Sequence, residues 1–182
     1  LLIVYYPFLV SEALKKINSI YKSKLIEGLI KINLDCFYDE RGEIWTVFAK
    51  EFTDYDFVED KVSISHKNVL RGFHGDAETV KLVSCLHGQF QFSVVDLRKD
   101  SQTFQNCESF IFTDVEPSVI LVPAGCLNAH LCLSDKCVFY YKWSKPYAGP
   151  GNQVTVAWDD PDINMSWLIN DPVMSNRDQK GV

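Results

Sequence analysis

The rhythm of hydrophobic and polar positions changes once along this chain. Between Ser11 and Lys24 apolar residues recur every three to four positions (Leu14, Ile17, Tyr21, then Leu25), with Lys15, Lys16, Lys22 and Lys24 between them. This spacing predicts an amphipathic helix. Ser11 suits its N-cap and Glu12 its first turn. Beyond Leu25 the period falls to two. Leu29 to Leu34, Val62 to Ser65, Phe90 to Val94 and Val154 to Val156 all alternate, while Val119 to Val122 and Val138 to Tyr141 are short runs rich in strand formers. Turn signals separate these runs, at Asp39 to Gly42, His87-Gly88, Glu116-Pro117, Pro123 to Gly125, Gly149 to Gly151 and Asp160-Pro161. Many short strands punctuated in this way predict an antiparallel sandwich or barrel. With no repeat or linker, the chain divides into a helical extension (residues 1–25) and one β domain (residues 26–182).

The length of 182 residues fits a single domain with a full core. Lys plus Arg number 18 against 24 Asp plus Glu, a net charge of −6. An acidic chain lacks the basic footprint of a nucleic-acid binder, although a local basic pocket can still hold one phosphorylated ligand. The six cysteines form no CxxC pair, so a zinc ribbon is not expected. Cys85, Cys132 and Cys137 lie in apolar runs and read as small buried hydrophobes in a reducing cytoplasm. The apolar opening from Leu1 to Val10 falls short of the ~20 residues that span a bilayer. No basic segment precedes it and no small-residue cleavage site follows, so a cytoplasmic protein with no membrane partner is expected.

The densest polar cluster is Arg71-Gly72-Phe73-His74-Gly75-Asp76, followed by Lys81 inside the apolar run Val80 to Val83. A lysine there points either to solvent or into a cavity, where its pKa falls or it pairs with an anion. Further groups lie at Tyr140-Tyr141, Tyr147 and Trp158 to Asp162. Singly, each has a plain structural reading: a satisfied histidine, a packed strand tyrosine, an aspartate that forms a turn before proline.

In order, however, they form a pattern. Val69-Leu70-Arg71-Gly72-Phe73-His74, Lys81-Leu82-Val83, Val95 to Ser101, Val122-Pro123-Ala124-Gly125, Tyr141-Lys142, Pro146-Tyr147-Ala148, Trp158 to Pro161 and Asp178-Gln179-Lys180-Gly181 resemble the dTDP-4-dehydrorhamnose 3,5-epimerases, cupin-fold enzymes of nucleotide-sugar synthesis. Ile26-Glu27-Gly28 and Asp39 to Gly42 fit as well. The resemblance implies a cupin-type double-stranded β-helix, a jelly-roll sandwich. It implies a nucleoside-diphospho-4-keto-6-deoxy sugar as substrate, no metal or redox cofactor, and a homodimer paired through N-terminal strands. The 4-keto group acidifies C3–H and C5–H, so a base can take a proton and an acid on the opposite face can return one. His74 is then the base, Asp160 the carboxylate that orients it, Lys81 the cation that stabilises the enolate oxygen, and Tyr141 the acid. Tyr147 lies beside the sugar, and Arg71 and Arg41 meet the diphosphate. Ser63, Asn128 and His130 complete the expected substrate-binding set.

The chain departs from the family pattern at three places. In Pro123 to Ala129, Asn128 stands where the family has His, with His130 two residues on. Thr46 stands where the family often has an acidic residue that contacts thymine, and His74 is followed by Gly75-Asp76. These variants resemble the GDP-4-keto-6-deoxy-heptose 3,5-epimerases of capsule pathways, and favour a GDP-linked heptose over dTDP-rhamnose. Asn128 also leaves room for inversion at one carbon only. Two other classes fit parts of the pattern. His74, Asp76 and His130 have the form of a metal-dependent oxygenase triad, and a non-catalytic nucleotide-sugar binding domain would keep the fold.

Overall fold

The computed structural model describes residues 16–181. The apolar opening and the first part of the predicted helix lie outside the described residues. The described part of that helix is a strand instead: β1 (Ile17–Lys22) pairs antiparallel with β2 (Ile30–Leu34). Ile17, Ile20 and Tyr21 favour strands as readily as helices, and pairing with β2 satisfies their backbone, so tertiary context overrides the local spacing. Five of the six β1 residues are exposed, which leaves no buried stripe of the kind a docked helix needs. The expected boundary at residue 25 therefore does not separate β1 from the sheet.

Two antiparallel sheets face each other. The six-stranded sheet runs β1, β2, β10 (Ser118–Val122), β7 (Lys81–His87), β12 (Lys136–Trp143), β5 (Glu59–His66). The five-stranded sheet runs β13 (Val154–Thr155), β6 (Leu70–Gly75), β11 (Cys126–Cys132), β8 (Gln89–Asp96), β9 (Cys107–Thr113). A separate hairpin joins β3 (Cys36–Asp39) to β4 (Gly42–Trp45), and a short helix, α1 (Asn176–Lys180), ends the described chain. The expected all-β sandwich is thus the observed architecture. Each alternating run has become a strand, and the turn signals fall between strands except Asp160-Pro161, which follows β13.

Central strands are buried on both faces because each sheet is covered twice. Between the sheets, Phe90, Phe92, Phe112 and Phe139 form the main core, with Phe90 stacked on Phe112 at 5.4 Å. The outer face of the six-stranded sheet (Leu82, Val119, Leu121) is covered by Phe48, Phe52 and Phe57. The outer face of the five-stranded sheet (Phe73, Val95, Leu127) is covered by Ile163, Met165 and Trp167. The inner space at the Lys81 end of β7 is left open, and it becomes the cavity described below. Cys85, Cys132 and Cys137 are buried free thiols, as expected; burial pushes the Cys85 thiol up to about 12. No helix among the described residues is long and apolar enough to cross a membrane.

The loop after β8 is held by a buried charge. Asp96 is fully buried and accepts hydrogen bonds from Arg98 N, Nε and Nη2 (2.9, 2.8 and 2.7 Å), Ser101 Oγ (2.7 Å) and Thr103 Oγ1 (2.6 Å). Arg98 Nη2 also donates to Glu27 O at 2.8 Å, tying this loop to the approach to β2. Burial alone would push the Asp96 carboxyl up, but these donors hold it well below the ordinary range. A depressed carboxyl stabilises the fold fully at neutral pH, and the contribution fades as pH falls through the ordinary carboxylate range towards the depressed value. Asp96→Asn should therefore cost about 3 kcal/mol at pH 7, and the gap from wild type should narrow steadily below pH 4. Urea titrations at both pH values measure this; a pH-independent gap would deny the ionic origin.

Candidate active site

A local irregularity in β6 shapes the site. Along the β6–β11 ladder, His74 pairs with Asn128 but Arg71 pairs with His130, so three steps on β6 span two on β11. Side chains alternate faces along a strand, and residues three apart point opposite ways unless a bulge intervenes. The bulge at Gly72 and Phe73 lets Arg71 and His74 both line the inner cavity while Phe73 enters the outer core. Gly72 sits at φ +118°, and a Cβ there would lie 2.6 Å from Ala129 Cα and from Asn128 O. Only glycine allows this approach.

The cavity has a volume of about 660 Å³ and opens between the sheets. His74 stands on its five-stranded side. Its Nε2 is 2.7 Å from Asp178 Oδ1, and its Nδ1 is 3.4 Å from Thr155 Oγ1. Asp178 comes from the first turn of α1. Ser175 caps that helix, accepting from Asp178 N and donating to Asp178 Oδ2 at 2.8 Å, and Gly72 N donates to Oδ1 at 3.3 Å. Burial would raise the Asp178 carboxyl, but the bonds from His74, Ser175 and Gly72 keep it below the ordinary value, as an anion. The segment before α1 is fastened to β6, since Leu70 N donates to Val173 O at 2.9 Å. An ionised carboxylate held against imidazole can orient the ring and stabilise it once protonated.

Lys81 reaches across from the six-stranded sheet. It is 3 % exposed, and its Nζ donates to His74 O at 2.9 Å and Asn128 Oδ1 at 2.8 Å. Burial pushes its ammonium down to about 8, so the charge persists at neutral pH but is poorly solvated and available to an anion. Tyr141, also on the six-stranded sheet, faces His74 across the cavity. It is half-buried, which raises its pKa, and its hydroxyl has no hydrogen-bond partner among the described residues. Lys61, Trp143 and Tyr147 form one wall, with Lys61 Nζ 4.1 Å from the Tyr147 ring centroid. Among the described residues, Lys61, Arg71, Lys81 and Arg177 share the lining with one carboxylate, Asp178, and Lys61 is paired with Glu59 at 2.6 Å. The cavity is therefore basic inside a protein of net charge −6.

Eight expected site residues meet here: Ser63, Arg71, His74, Lys81, Asn128, His130, Tyr141 and Tyr147. Two do not. Asp160 is not the carboxylate beside His74; it borders a separate surface depression with Trp158 and Asp159, and its Oδ1 accepts from Asp162 N at 2.9 Å. Its backbone closes a turn onto Asn164 N, so the turn before Pro161 uses it up locally. Arg41 lies on the exposed β3–β4 hairpin, paired with Asp39, away from the cavity. The metal triad fails as well. Asp76 accepts from Glu78 N (2.9 Å) and Thr79 N (2.7 Å) instead of joining His74 and His130, and no three metal-ligating side chains gather among the described residues. Asp178 and Arg177 were not expected at the site. Ser175-Asn176-Arg177-Asp178 carries a helix N-cap signature, serine with an acid three residues on, and that signal could have placed a short helix in the polar tail.

The geometry has counterparts among known proteins. The family model described as dTDP-4-dehydrorhamnose 3,5-epimerase matches residues 23–182. The dTDP-4-dehydrorhamnose 3,5-epimerase of Methanothermobacter thermautotrophicus is 32% identical over 164 residues, covering 85% of this chain and 88% of that protein. The dTDP-6-deoxy-D-glucose-3,5-epimerase of Legionella pneumophila, solved with dTDP-4-keto-L-rhamnose, has a TM-score of 0.82 at 29% identity, covering 88% of this chain and 89% of that one. ChmJ, a 3'-monoepimerase from Streptomyces bikiniensis solved with dTDP-quinovose, has a TM-score of 0.78 at 28% identity, covering 84% and 82%.

The close approach at Gly72 makes a direct test of how the site is built. Gly72→Ala should destabilise the protein by about 2 kcal/mol or more, from the backbone clash and the positive φ together. It should also loosen the Gly72 N–H bond to Asp178. Denaturant midpoints measure the first effect; a midpoint equal to wild type would mean that β6 and β11 can part there without cost.

Proposed function

The chain belongs to the dTDP-4-dehydrorhamnose 3,5-epimerase family and is a nucleotide-sugar epimerase, and on that premise we propose that His74, Asp178, Lys81 and Tyr141 invert carbons beside the keto group of a nucleoside-diphospho-4-keto-6-deoxy sugar. The observation that carries this reading is the opposition of His74 and Tyr141 on facing sheets of one cavity, with Asp178 behind the histidine. Inversion needs a base on one face of the sugar and an acid on the other. His74 takes the proton from carbon, and Asp178 stabilises the imidazolium that results. The electron pair moves into the carbonyl, and Lys81 stabilises the enolate oxygen. Tyr141, protonated at neutral pH, returns a proton from the opposite face. Arg71 and Arg177, with Lys61, supply positive charge for the diphosphate.

The relatives, named for dTDP-linked sugars, support a dTDP-linked substrate, while the departures at Thr46 and Asn128 support a GDP-linked heptose. ChmJ, named as a 3'-monoepimerase, supports testing each carbon separately. Exposed Phe37, Tyr38 and Ile44 on the β3–β4 hairpin, together with Val62 and Ile64 on β5, support the homodimer reading. In a dimer, Arg41 could serve a cavity other than its own. Sedimentation velocity decides between monomer and dimer.

Incubation with dTDP- and GDP-linked 4-keto sugars in deuterium oxide, scoring C3 and C5 separately, tests the chemistry. His74→Asn should abolish exchange at every carbon the wild type exchanges. Tyr141→Phe keeps the ring but not the proton, so deuterium should still enter while inverted product falls at least about tenfold. Normal inversion in the Phe variant would remove Tyr141 from the mechanism. The two aspartates make a second, independent pair. Asp178→Asn should lower kcat by about two to four orders of magnitude, and Asp160→Asn should leave it within about twofold; the reverse ranking would restore Asp160 as the partner of His74.

A further inference from the structure

The proposed chemistry leaves one buried histidine in the cavity wall without a task. His130 is 4 % exposed. Its ring stacks on Phe139 with centroids 4.2 Å apart and planes 9° from parallel, and its edge meets Phe90 at 5.6 Å. Burial and the charge of Arg71 push its pKa down to about 3, so it is neutral and does not act as a cation towards substrate. Its Nε2 lies 3.3 Å from Ser65 Oγ, and the same oxygen accepts from Arg71 Nε at 3.1 Å. Ser65 is itself buried, on β5 of the opposite sheet. In the neutral tautomer that leaves Nε2 unprotonated, this hydroxyl accepts from the guanidinium and donates its one proton to Nε2. The chain of contacts runs from Arg71 through Ser65 to His130, across the sandwich.

We propose that His130 is a positioning residue which, through Ser65, presets the exposed Arg71 guanidinium for the diphosphate of the substrate. This deepens the reading above and rests on it, since it takes Arg71 to be a diphosphate ligand. The geometry supports the assignment. Among the described residues Arg71 makes one side-chain hydrogen bond, through Nε. That bond fixes the plane of the guanidinium and leaves its two terminal nitrogens free for a bidentate grip on phosphate oxygens. Arg71 and His130 are direct partners on the β6–β11 ladder, so the bulge that turns His74 inward also sets Arg71 beside this relay. A guanidinium already held in place loses less rotamer freedom on binding. The relay therefore acts on affinity and not on the bond-making step.

Inorganic pyrophosphate is the probe, because it carries the diphosphate charge without a base or sugar. Titration calorimetry at fixed ionic strength should show His130→Phe, which keeps the stack on Phe139 but has no acceptor, binding about tenfold more weakly than wild type. Ser65→Ala should weaken binding to the same extent, and the double variant should be no weaker than either single one. With nucleotide sugar, KM should rise about as much while kcat stays within about twofold, a split that a packing defect near His74 would not give. Wild-type affinity in His130→Phe, additive losses in the double variant, or a fall in kcat at unchanged KM would each overturn the relay. Ser65→Ala removes a single hydroxyl and carries the test alone if His130→Phe does not fold. Arg71→Ala separates the two levels. If it leaves pyrophosphate affinity unchanged, Arg71 is no diphosphate ligand and the underlying reading fails; if it weakens binding while His130→Phe does not, only the relay fails.

Discussion

The site depends on one slipped residue in a β ladder. A regular β6 would send Arg71 and His74 to opposite faces, and the cavity would hold one or the other. Three residues of β6 opposing two of β11 bring both inward. The slip also frees Gly72 N from ladder pairing and aims it at Asp178 Oδ1. The backbone of one strand thereby positions the His74 ring and helps to hold the carboxylate behind it. Such a bulge needs glycine at its tightest point, where Ala129 and Asn128 leave no space for a side chain.

Around this frame the charges are arranged against the average of the molecule. The protein is acidic as a whole, yet the cavity gathers two lysines and two arginines around one carboxylate. Lys81 is the most heavily desolvated of these cations. Its stem is buried and its ammonium is held by two oxygens of the facing sheet, one from Asn128 and one from the His74 backbone. Two neutral acceptors relieve only part of the cost of burying a charge, which is consistent with an ammonium depressed to about 8. In the proposed reaction a developing enolate supplies the missing counter-charge, and so gains more from this lysine than a neutral ketone does.

How much of this was legible in the sequence varied with the range of the interactions involved. Strands were legible because their alternation is local, and the sandwich follows from their number and spacing. His74, Lys81 and Tyr141 were legible through motif order, and the structure gathers them in one cavity. The partner of His74 was not, because its choice depends on where a polar tail docks. Asp160, Asp162 and Asp178 differ little as letters. Only the strapping of Val173 to Leu70 and the Ser175 cap bring Asp178 to β6, while Asp160 is consumed by its own turn. The edge strand at Ile17–Lys22 failed for the opposite reason. Its local spacing suited a helix, and the pairing with β2 that overrides it is a contact between segments.

The facing sheets also bear on how one base could serve two carbons. C3 and C5 both flank the carbonyl carbon, so one contact at the C4 oxygen can be the fixed pivot for proton loss at either neighbour. In the proposed reaction Lys81 is that pivot. It is fixed by Asn128, where the family pattern has a histidine, and so the departure lies at the pivot and not at the base or the acid. A neutral histidine at position 128 could offer the ammonium a ring nitrogen, whereas asparagine offers its amide oxygen, at 2.8 Å from Lys81 Nζ, and carries a separate NH2 donor on the same side chain. The change leaves the proposed base and acid, His74 and Tyr141, in place and falls on the partner of Lys81. In the proposed reaction the residue at 128 therefore acts through Lys81, in a part of the cavity also lined by Trp143 and Tyr147, and not through the acid–base pair.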